Sequence, residues 1–377
     1  ASDVYKRQVL FVHYGDKFTY ESGLHKRITD ALSDAGVTCY ELPGVEPNPK
    51  VELVRKGIAL CRENQIGCVL AVGGGSVIDT AKAVAIGVKY DGDVWDFYSK
   101  KAVPETALPI GTVMTLPATG SEGSNGSVLK NPETGESADV MADCLRPSFT
   151  LMNPDLTLTI PKRQTVFGII DMFSHVLERY FSSSKDTYLT DYMCEGVMKS
   201  IIVNAQALMN DLKDYNSRAE LMWTAIVAHN GLLATGRNQD WATHTIGAQL
   251  SAQYNCVHGA TLSVLFPNWA RYVYKENLPR FVQFANRVFG VEVDFYDQEK
   301  TALKGIEKLA EFFHSMGGPA TLKDLGIETD EKFRKMAEDA CRFGNIGGLK
   351  SLNADDVEAI YRLCLLYTSP SPRDISG

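Results

Sequence analysis

Long apolar runs are missing from this chain: nothing in its 377 residues approaches the roughly 20 consecutive apolar residues that a helix needs to cross a bilayer. Lysine and arginine nowhere cluster, and acidic residues outnumber basic ones by 46 to 38, for a formal net charge of −8. Both facts argue against a dedicated nucleic-acid binder. The eight cysteines form no CxxC pair and keep no regular spacing, which suits reduced thiols better than a disulfide framework. No signal peptide is legible, since Val9-Leu10-Phe11-Val12 is too short for its apolar segment. A soluble, cytoplasmic protein without membrane or nucleic-acid partners is the expectation. Histidine is scarce as well, at seven residues, so the settings in which it occurs carry weight.

Composition is otherwise that of a globular protein, 45% hydrophobic and 22% charged, long enough for two domains. Residues 1–8 and 367–377 look like non-native tails, similar to translated adapter sequence, and are set aside. From Val9 to about Pro161, short apolar strands alternate with helical patterns. Strands are expected at Val9–His13, Val37–Leu42, Gly67–Val72, Leu108–Leu116, Ser127–Leu129 and Phe149–Met152. Helices are expected over Gly23–Ala35, Lys50–Asn64 and Ser76–Val88. Strands that are apolar throughout and separated by helices predict a mostly parallel, Rossmann-like sheet covered on both faces. Beyond Pro161 the pattern turns to long amphipathic helices and no strand stands out. The fold class is therefore an α/β domain over 9–161 followed by an all-α domain over 162–366.

Two stretches of the first domain carry chemistry. The strand ending at Val72 runs into Gly73-Gly74-Gly75-Ser76 and a helix containing Asp79. Glycines there let the backbone approach a pyrophosphate, and free N–H groups at a helix start favour anions. The turn is neither G-x-G-x-x-G nor a Walker A loop, and a tight structural connection is the competing reading. The second stretch, Thr115-Leu116-Pro117-Ala118-Thr119-Gly120-Ser121-Glu122, follows a strand where nucleotide ligands commonly lie, but by itself reads better as a helix cap.

The second domain holds Asp171 and His175, four apart and so on one helical face, with His244 and His258 further along. One carboxylate oxygen and three imidazole nitrogens would suit Fe²⁺ or Zn²⁺. Taken alone the Asp-x-x-x-His pair is a weak signal, and each His is more often a structural hydrogen-bonding group than a ligand.

Taken together, Glu46-Pro47-Asn48-Pro49, Gly73–Asp79, Thr115–Glu122, Asp155–Pro161, Asp171-x-x-x-His175, Gln239–His244 and Val257-His258-Gly259 resemble the iron-containing alcohol dehydrogenases, specifically their butanol-dehydrogenase-like aldehyde reductases. The resemblance implies a dehydroquinate-synthase-like architecture with the active site in the cleft between the domains. It also implies a homodimer that moves hydride between NAD(P)H and a small aldehyde or primary alcohol. It implies further that Asp171, His175, His244 and His258 hold Fe²⁺ (or Zn²⁺). Gly74, Gly75, Ser76 and Asp79 would take the pyrophosphate region, and Thr115, Leu116 and Thr119 the rest of the cofactor path. Asp16, just after the first strand, would accept from the ribose hydroxyls and repel a 2′-phosphate, which favours NAD(H) over NADP(H). Three departures stand out. The resemblance leads one to expect an N-terminal segment forming the first strands, with which this sequence does not begin. Ala248 stands one helical turn after His244, where relatives often carry a relay histidine. Ser137 stands where they often carry a lysine. A glycerol-type polyol dehydrogenase and a catalytically impaired NAD- and metal-binding protein are the alternatives.

Overall fold

The computed structural model describes residues 8–366. Two compact units emerge, one running to Ile160 and taking in Lys213–Gly231, the other comprising Pro161–Leu212 and continuing from Leu232. Of the two tails set aside above, all residues but Gln8 lie outside the described residues; Gln8 itself opens the first strand.

In the first unit, β1 (Gln8–His13), β2 (Thr38–Leu42), β3 (Cys68–Gly74), β4 (Ile110–Leu116) and β7 (Phe149–Met152) form one sheet in the order β2-β1-β3-β4-β7, parallel throughout. The helices are α1 (Lys17–Glu21), α2 (Leu24–Asp34), α3 (Val51–Glu63), α4 (Gly75–Gly87) and the short α5 (Trp95–Tyr98). Alternation along β1 sends Leu10 and Val12 to a core shared with α3 and α4, and Val9 and Phe11 to a smaller core shared with α2. Both faces are thus covered, as a parallel sheet requires. Strand order reverses between β1 and β3, so ligands of such a sheet are expected beyond the carboxyl ends of those two strands.

A feature absent from the sequence reading is the antiparallel pair β5 (Gly126–Asn131) and β6 (Glu136–Met141), of which only Ser127–Leu129 was expected. Its turn is set by Gly135 at φ +73 and by the Gly135 N–H donating to Asn131 O at 2.8 Å. Ser137 pairs across it with Lys130. The hairpin is tied to α4 by Lys82, a fully buried ammonium that donates to the carbonyls of Ser121 (2.7 Å), Ser124 (2.9 Å) and Gly126 (2.8 Å). Burial lowers the Lys82 pKa to about 8, against the pull of Asp79 and Glu122.

The second unit contains α6 (Lys162–Tyr180), α7 (Tyr188–Asn210), α9 (Ala242–Tyr254), α10 (His258–Val273), α11 (Leu278–Phe289), α12 (Gln298–Ser315), α13 (Phe333–Ala340) and α14 (Ala354–Leu366). No strand was expected here, and none lies among its described residues. α6 is buried on every side from Thr165 to Tyr180, which makes it the central helix. α10 crosses it so closely that a Cβ on Gly259 would lie 2.1 Å from Phe167 O.

One helix departs from the expected contiguous division. α8 (Tyr215–His229), amphipathic like its neighbours in sequence, belongs with the first unit. The His229 ring N–H donates to Thr119 O at 2.6 Å, and Gly120 lies against the Ala225 carbonyl, leaving no room for a Cβ. Helical periodicity shows that a face is buried and not against what.

Gly259→Ala must push α10 off α6, because the obstacle is backbone; a loss of about 1–3 kcal/mol in chemical denaturation is expected. A second outcome concerns Glu122, whose buried carboxyl oxygens have no partner beyond its own backbone N–H. Burial raises its pKa from 4.5 to about 7, partly opposed by Lys82. Stability from the neutral carboxyl is therefore complete below pH 4.5 and lost as pH rises through 7. Relative to the parent, Glu122→Gln should gain on the order of 1–3 kcal/mol at pH 8 and nothing near pH 4, read from unfolding midpoints at both pH values.

Candidate metal and cofactor site

Three of the four side chains expected to share an ion converge in the second unit. Asp171 leaves α6, His244 leaves the first turn of α9, and His258 opens α10. His244 Nε2 lies 3.8 Å and His258 Nε2 3.9 Å from Asp171 Oδ1, and all three donor atoms fall within 4.8 Å of one another. Those separations are too long for hydrogen bonds. Two ligands each ~2.1 Å from one ion sit roughly 3–3.5 Å apart, so the set needs only slight closure to share one. Asp171 Oδ1 and His244 Nε2 are both buried with no hydrogen-bond partner among the described residues. Buried donor atoms left open in this way fit a cation and little else. His175 stands beside them with its ring centroid 4.6 Å from that of His244, but its nitrogens fall outside the close group.

Electrostatics agree with this reading. Burial raises Asp171 to about 7, as expected of a carboxylate with no cation in place. Burial, and then the charge of Arg179, lowers His244 to about 3; His258 is lowered by burial and then by His244. Both rings are neutral at physiological pH, the state that ligates metal.

A residue that the sequence reading passed over completes the arrangement. Glu178 follows Asp171 and His175 on the same face of α6, at the seventh position from Asp171. Its carboxylate accepts the backbone N–H of Trp241 (2.7 Å) and of His244 (3.2 Å), the Thr243 hydroxyl, and the His244 ring N–H at Nδ1 (2.6 Å). With Nδ1 donating, the His244 lone pair is left on Nε2, facing Asp171. A carboxylate behind a ligand imidazole fixes its tautomer and orientation in just this manner. The approach to α9 is locked too: Trp241 sits at φ +65, and Asp240 accepts from Ala242, Gly348 and Leu349 N–H groups. The signal in the sequence was an acidic residue seven after Asp171. Ala248 lies one turn beyond His244 in α9 and carries no proton-bearing group.

A second gathering of metal-competent side chains, His13, His25 and Glu41, occurs at the end of β1 and β2. Gly15 N–H donates to His13 Nδ1 at 3.1 Å, which leaves the ring proton on Nε2, facing Glu41 at 3.4 Å. A nitrogen that carries its proton offers no lone pair, so Glu41 is a hydrogen-bond acceptor between two imidazoles and no ligand set forms.

In the first unit the glycine turn ends β3 and starts α4 at the carboxyl edge of the sheet, beside the β1/β3 reversal. No side chain caps α4, so N–H groups of its first turn are available to a phosphate oxygen. Gly74 and Gly75 are also demanded by packing. A Cβ on Gly75 would meet Thr119 Oγ1 at 2.5 Å, and one on Gly74 would meet Leu116 Cβ at 3.0 Å. Thus Leu116 and Thr119 are brought against the turn, with Ser76 in the helix's first turn; Thr115 lies in β4 just before Leu116. Asp79 is placed differently from the expected cofactor contact: it accepts from the Ser121 hydroxyl (2.7 Å) and Val128 N–H (3.1 Å), bracing the loop and hairpin. Asp16 lies exposed just past β1 and caps α1, accepting from Thr19 N–H at 2.9 Å.

Family profiles match nearly the whole chain: iron-containing alcohol dehydrogenase over residues 2–154, and the C-terminal domain of the Fe-containing alcohol dehydrogenase family over 165–365. This chain belongs to the iron-containing alcohol dehydrogenase family. Its sequence is 45% identical over 361 residues to the probable NADH-dependent butanol dehydrogenase 1 of Bacillus subtilis, covering 96% of this chain and 93% of the relative. It is 32% identical over 322 residues to the NADPH-dependent aldehyde reductase YqhD of Escherichia coli, covering 85% and 82%. The crystal structure of NADH-dependent butanol dehydrogenase A from Thermotoga maritima superposes with a TM-score of 0.91 at 37% identity, covering 95% of this chain and 91% of that one. Membership explains why a parallel α/β unit and a helical unit occur in one chain, the fold class expected from the sequence.

Replacing Glu178 by Gln puts an amide N–H where Trp241 or His244 needs an acceptor. Affinity for Zn²⁺ or Fe²⁺, measured against a competing chelator, should fall about 10–100-fold. An unchanged affinity would remove Glu178 from the site.

Proposed function

We propose that this protein reduces small aldehydes to primary alcohols, and reverses the reaction, with NAD(P)H and a divalent metal held by Asp171, His244 and His258, with His175 as the fourth ligand. The observation that carries the reading is the meeting of an unpartnered buried carboxylate oxygen and two neutral imidazole nitrogens. When bound, the ion supplies Lewis acidity to the carbonyl oxygen and the dinucleotide supplies the hydride. The chain's own contributions are distinct. Asp171 brings negative charge that lowers the net charge of the site. Glu178 holds His244 in the required tautomer. The neutral rings of His244 and His258 flank the position without consuming the proton that the product alcohol needs. Ala248 provides no proton carrier on its turn of α9, so that proton comes through bound water or a cofactor ribose hydroxyl. In the cofactor half, the uncapped start of α4 binds the diphosphate, with Thr115, Leu116 and Thr119 along the path, while Asp79 acts through Ser121 and Val128. Asp16 at the end of β1 favours NAD(H).

The same reading takes the protein to be a cytoplasmic homodimer divided into a dinucleotide-binding part over 9–161 and a metal-binding part over 162–366, with α8 acting in the former. Eight free thiols support a reducing compartment, and no helix among the described residues is long and apolar enough to cross a membrane. Size-exclusion chromatography with light scattering tests the dimer.

The decisive measurement is NADH oxidation with butanal by chelator-treated protein, before and after adding back Fe²⁺ or Zn²⁺. Activity should be lost and restored, and His258→Ala should lower kcat/KM roughly 10³-fold while releasing the metal. Metal-free protein that still turns over butanal would refute the proposal. Stronger activity on glycerol than on butanol in the oxidative direction would point to polyol chemistry instead.

A further inference from the structure

The loop that follows β4 is anchored from two sides. On one side stands α4, through the bonds of Asp79 and Lys82 to the stretch from Ser121 onward. On the other runs α8, which joins the first unit although its neighbours in sequence belong to the second. A Cβ on Gly120 would stand 2.4 Å from Ala225 O and 2.8 Å from His229 Cβ, and one on Gly123 2.8 Å from Ile226 Cγ2. The helix therefore lies against loop backbone, with glycine at both points of contact. Arg146 closes the far end, its Nη1 donating to Gly123 O at 2.8 Å and to Asn230 O at 3.0 Å.

At the near end the hold is His229, whose ring N–H at Nδ1 donates to Thr119 O at 2.6 Å. Thr119 is also the residue that touches the glycine turn. Its Oγ1 would lie 2.5 Å and its Cγ2 2.6 Å from a Cβ on Gly75, and Oγ1 accepts the Ser121 N–H at 3.2 Å. The peptide that carries the Thr119 carbonyl ends on Gly120, at φ +62, where backbone freedom is greatest. An outside donor on that carbonyl removes the freedom. We propose that His229 is a positioning residue for dinucleotide binding: by holding Thr119 O it keeps the Thr119 side chain seated against Gly75, where the cofactor's diphosphate is met. This rests on the reading above that a dinucleotide lies on the glycine turn. His229 acts through Thr119 and not on the cofactor itself. A loop seated only part of the time binds with an affinity reduced by the seated fraction.

The test uses the full chain without aldehyde, and three variants of it. His229→Phe keeps a ring and removes the donor, His229→Ala removes both, and His229→Asn puts an amide N–H near the former Nδ1. Amide hydrogen exchange over residues 119–124 reports the loop, nicotinamide fluorescence reports NADH affinity, and chelator competition reports Zn²⁺ affinity. His229→Phe and His229→Ala should speed exchange in the loop and weaken NADH binding about three- to tenfold, the worth of one hydrogen bond. Zn²⁺ affinity should stay within about twofold of wild type in both, and His229→Asn should restore NADH binding to within about twofold. Unchanged loop exchange or unchanged NADH affinity in His229→Phe and His229→Ala overturns the proposal. So does an equal loss of Zn²⁺ affinity, which would mark a general loosening of the fold, or NADH binding by His229→Asn as weak as that by His229→Ala. Wild-type protein that binds neither NADH nor NADPH brings down the functional reading itself, and this proposal with it.

Discussion

A carboxylate buried without a partner is the constraint around which the helical unit is built. Asp171 sits on a helix with no solvent-facing side, and its Oδ1 meets only the neutral nitrogens of two histidines. An isolated charge in such a place costs several kcal/mol or forces the group to take up a proton. Burial raises Asp171 to about 7, which expresses that cost. On the proposed reading a divalent cation would remove it, and the affinity of the site would come from an electrostatic imbalance that the surrounding packing keeps from relaxing. That packing is specific: Gly259 lets α10 approach the α6 backbone, and Glu178 binds the start of α9 through four donors. If either contact loosened, the open oxygen could find water or a backbone N–H, and its demand for an ion would fade.

The α/β unit follows a related logic with the opposite charge. Its glycine turn, the diphosphate site on the proposed reading, is a helix start without a side-chain cap. Glycine is required there twice over, by the approach of the β4 loop and by the closeness of Tyr14. Rigidity behind the turn comes from the buried pair of Asp79 and Lys82, whose bonds to the Ser121–Gly126 carbonyls, the Ser121 hydroxyl and the Val128 N–H fasten the loop and the hairpin to α4. Lys82 shapes the loop through its bonds to the Ser121, Ser124 and Gly126 carbonyls. Charges in this unit thus serve position, and the open N–H groups serve binding.

Much of this was readable beforehand, and the gaps have identifiable causes. The β1, β3 and β4 strands, the glycine turn and the long helices announced themselves by unbroken apolar runs or a 3.6-residue period. β6 went unseen because Glu136–Met141 alternates only weakly and one of its faces is exposed. α8 was legible as a helix but not as part of the first unit, since periodicity carries no partner. Asp79 looked like a cofactor contact because it follows the glycines; the turn of α4 that carries it points instead to the hairpin. Glu178 escaped notice because a carboxylate behind a ligand has no motif of its own until the ligand's second nitrogen is located. His13, His25 and Glu41, far apart along the chain, could be weighed as a metal set only once Gly15 was seen to fix the His13 tautomer.

By itself the sequence determined the inventory: which donor atoms exist, their spacing along α6, the glycines that tolerate close approach, and the family to which the whole belongs. Those are properties of local order, since residues four or seven apart on a helix share a face whatever surrounds them. Tertiary structure alone decided which atoms remain unsatisfied. Whether an oxygen is open to an ion or spent on a neighbouring N–H depends on groups dozens of residues away, and only the folded chain sets those distances.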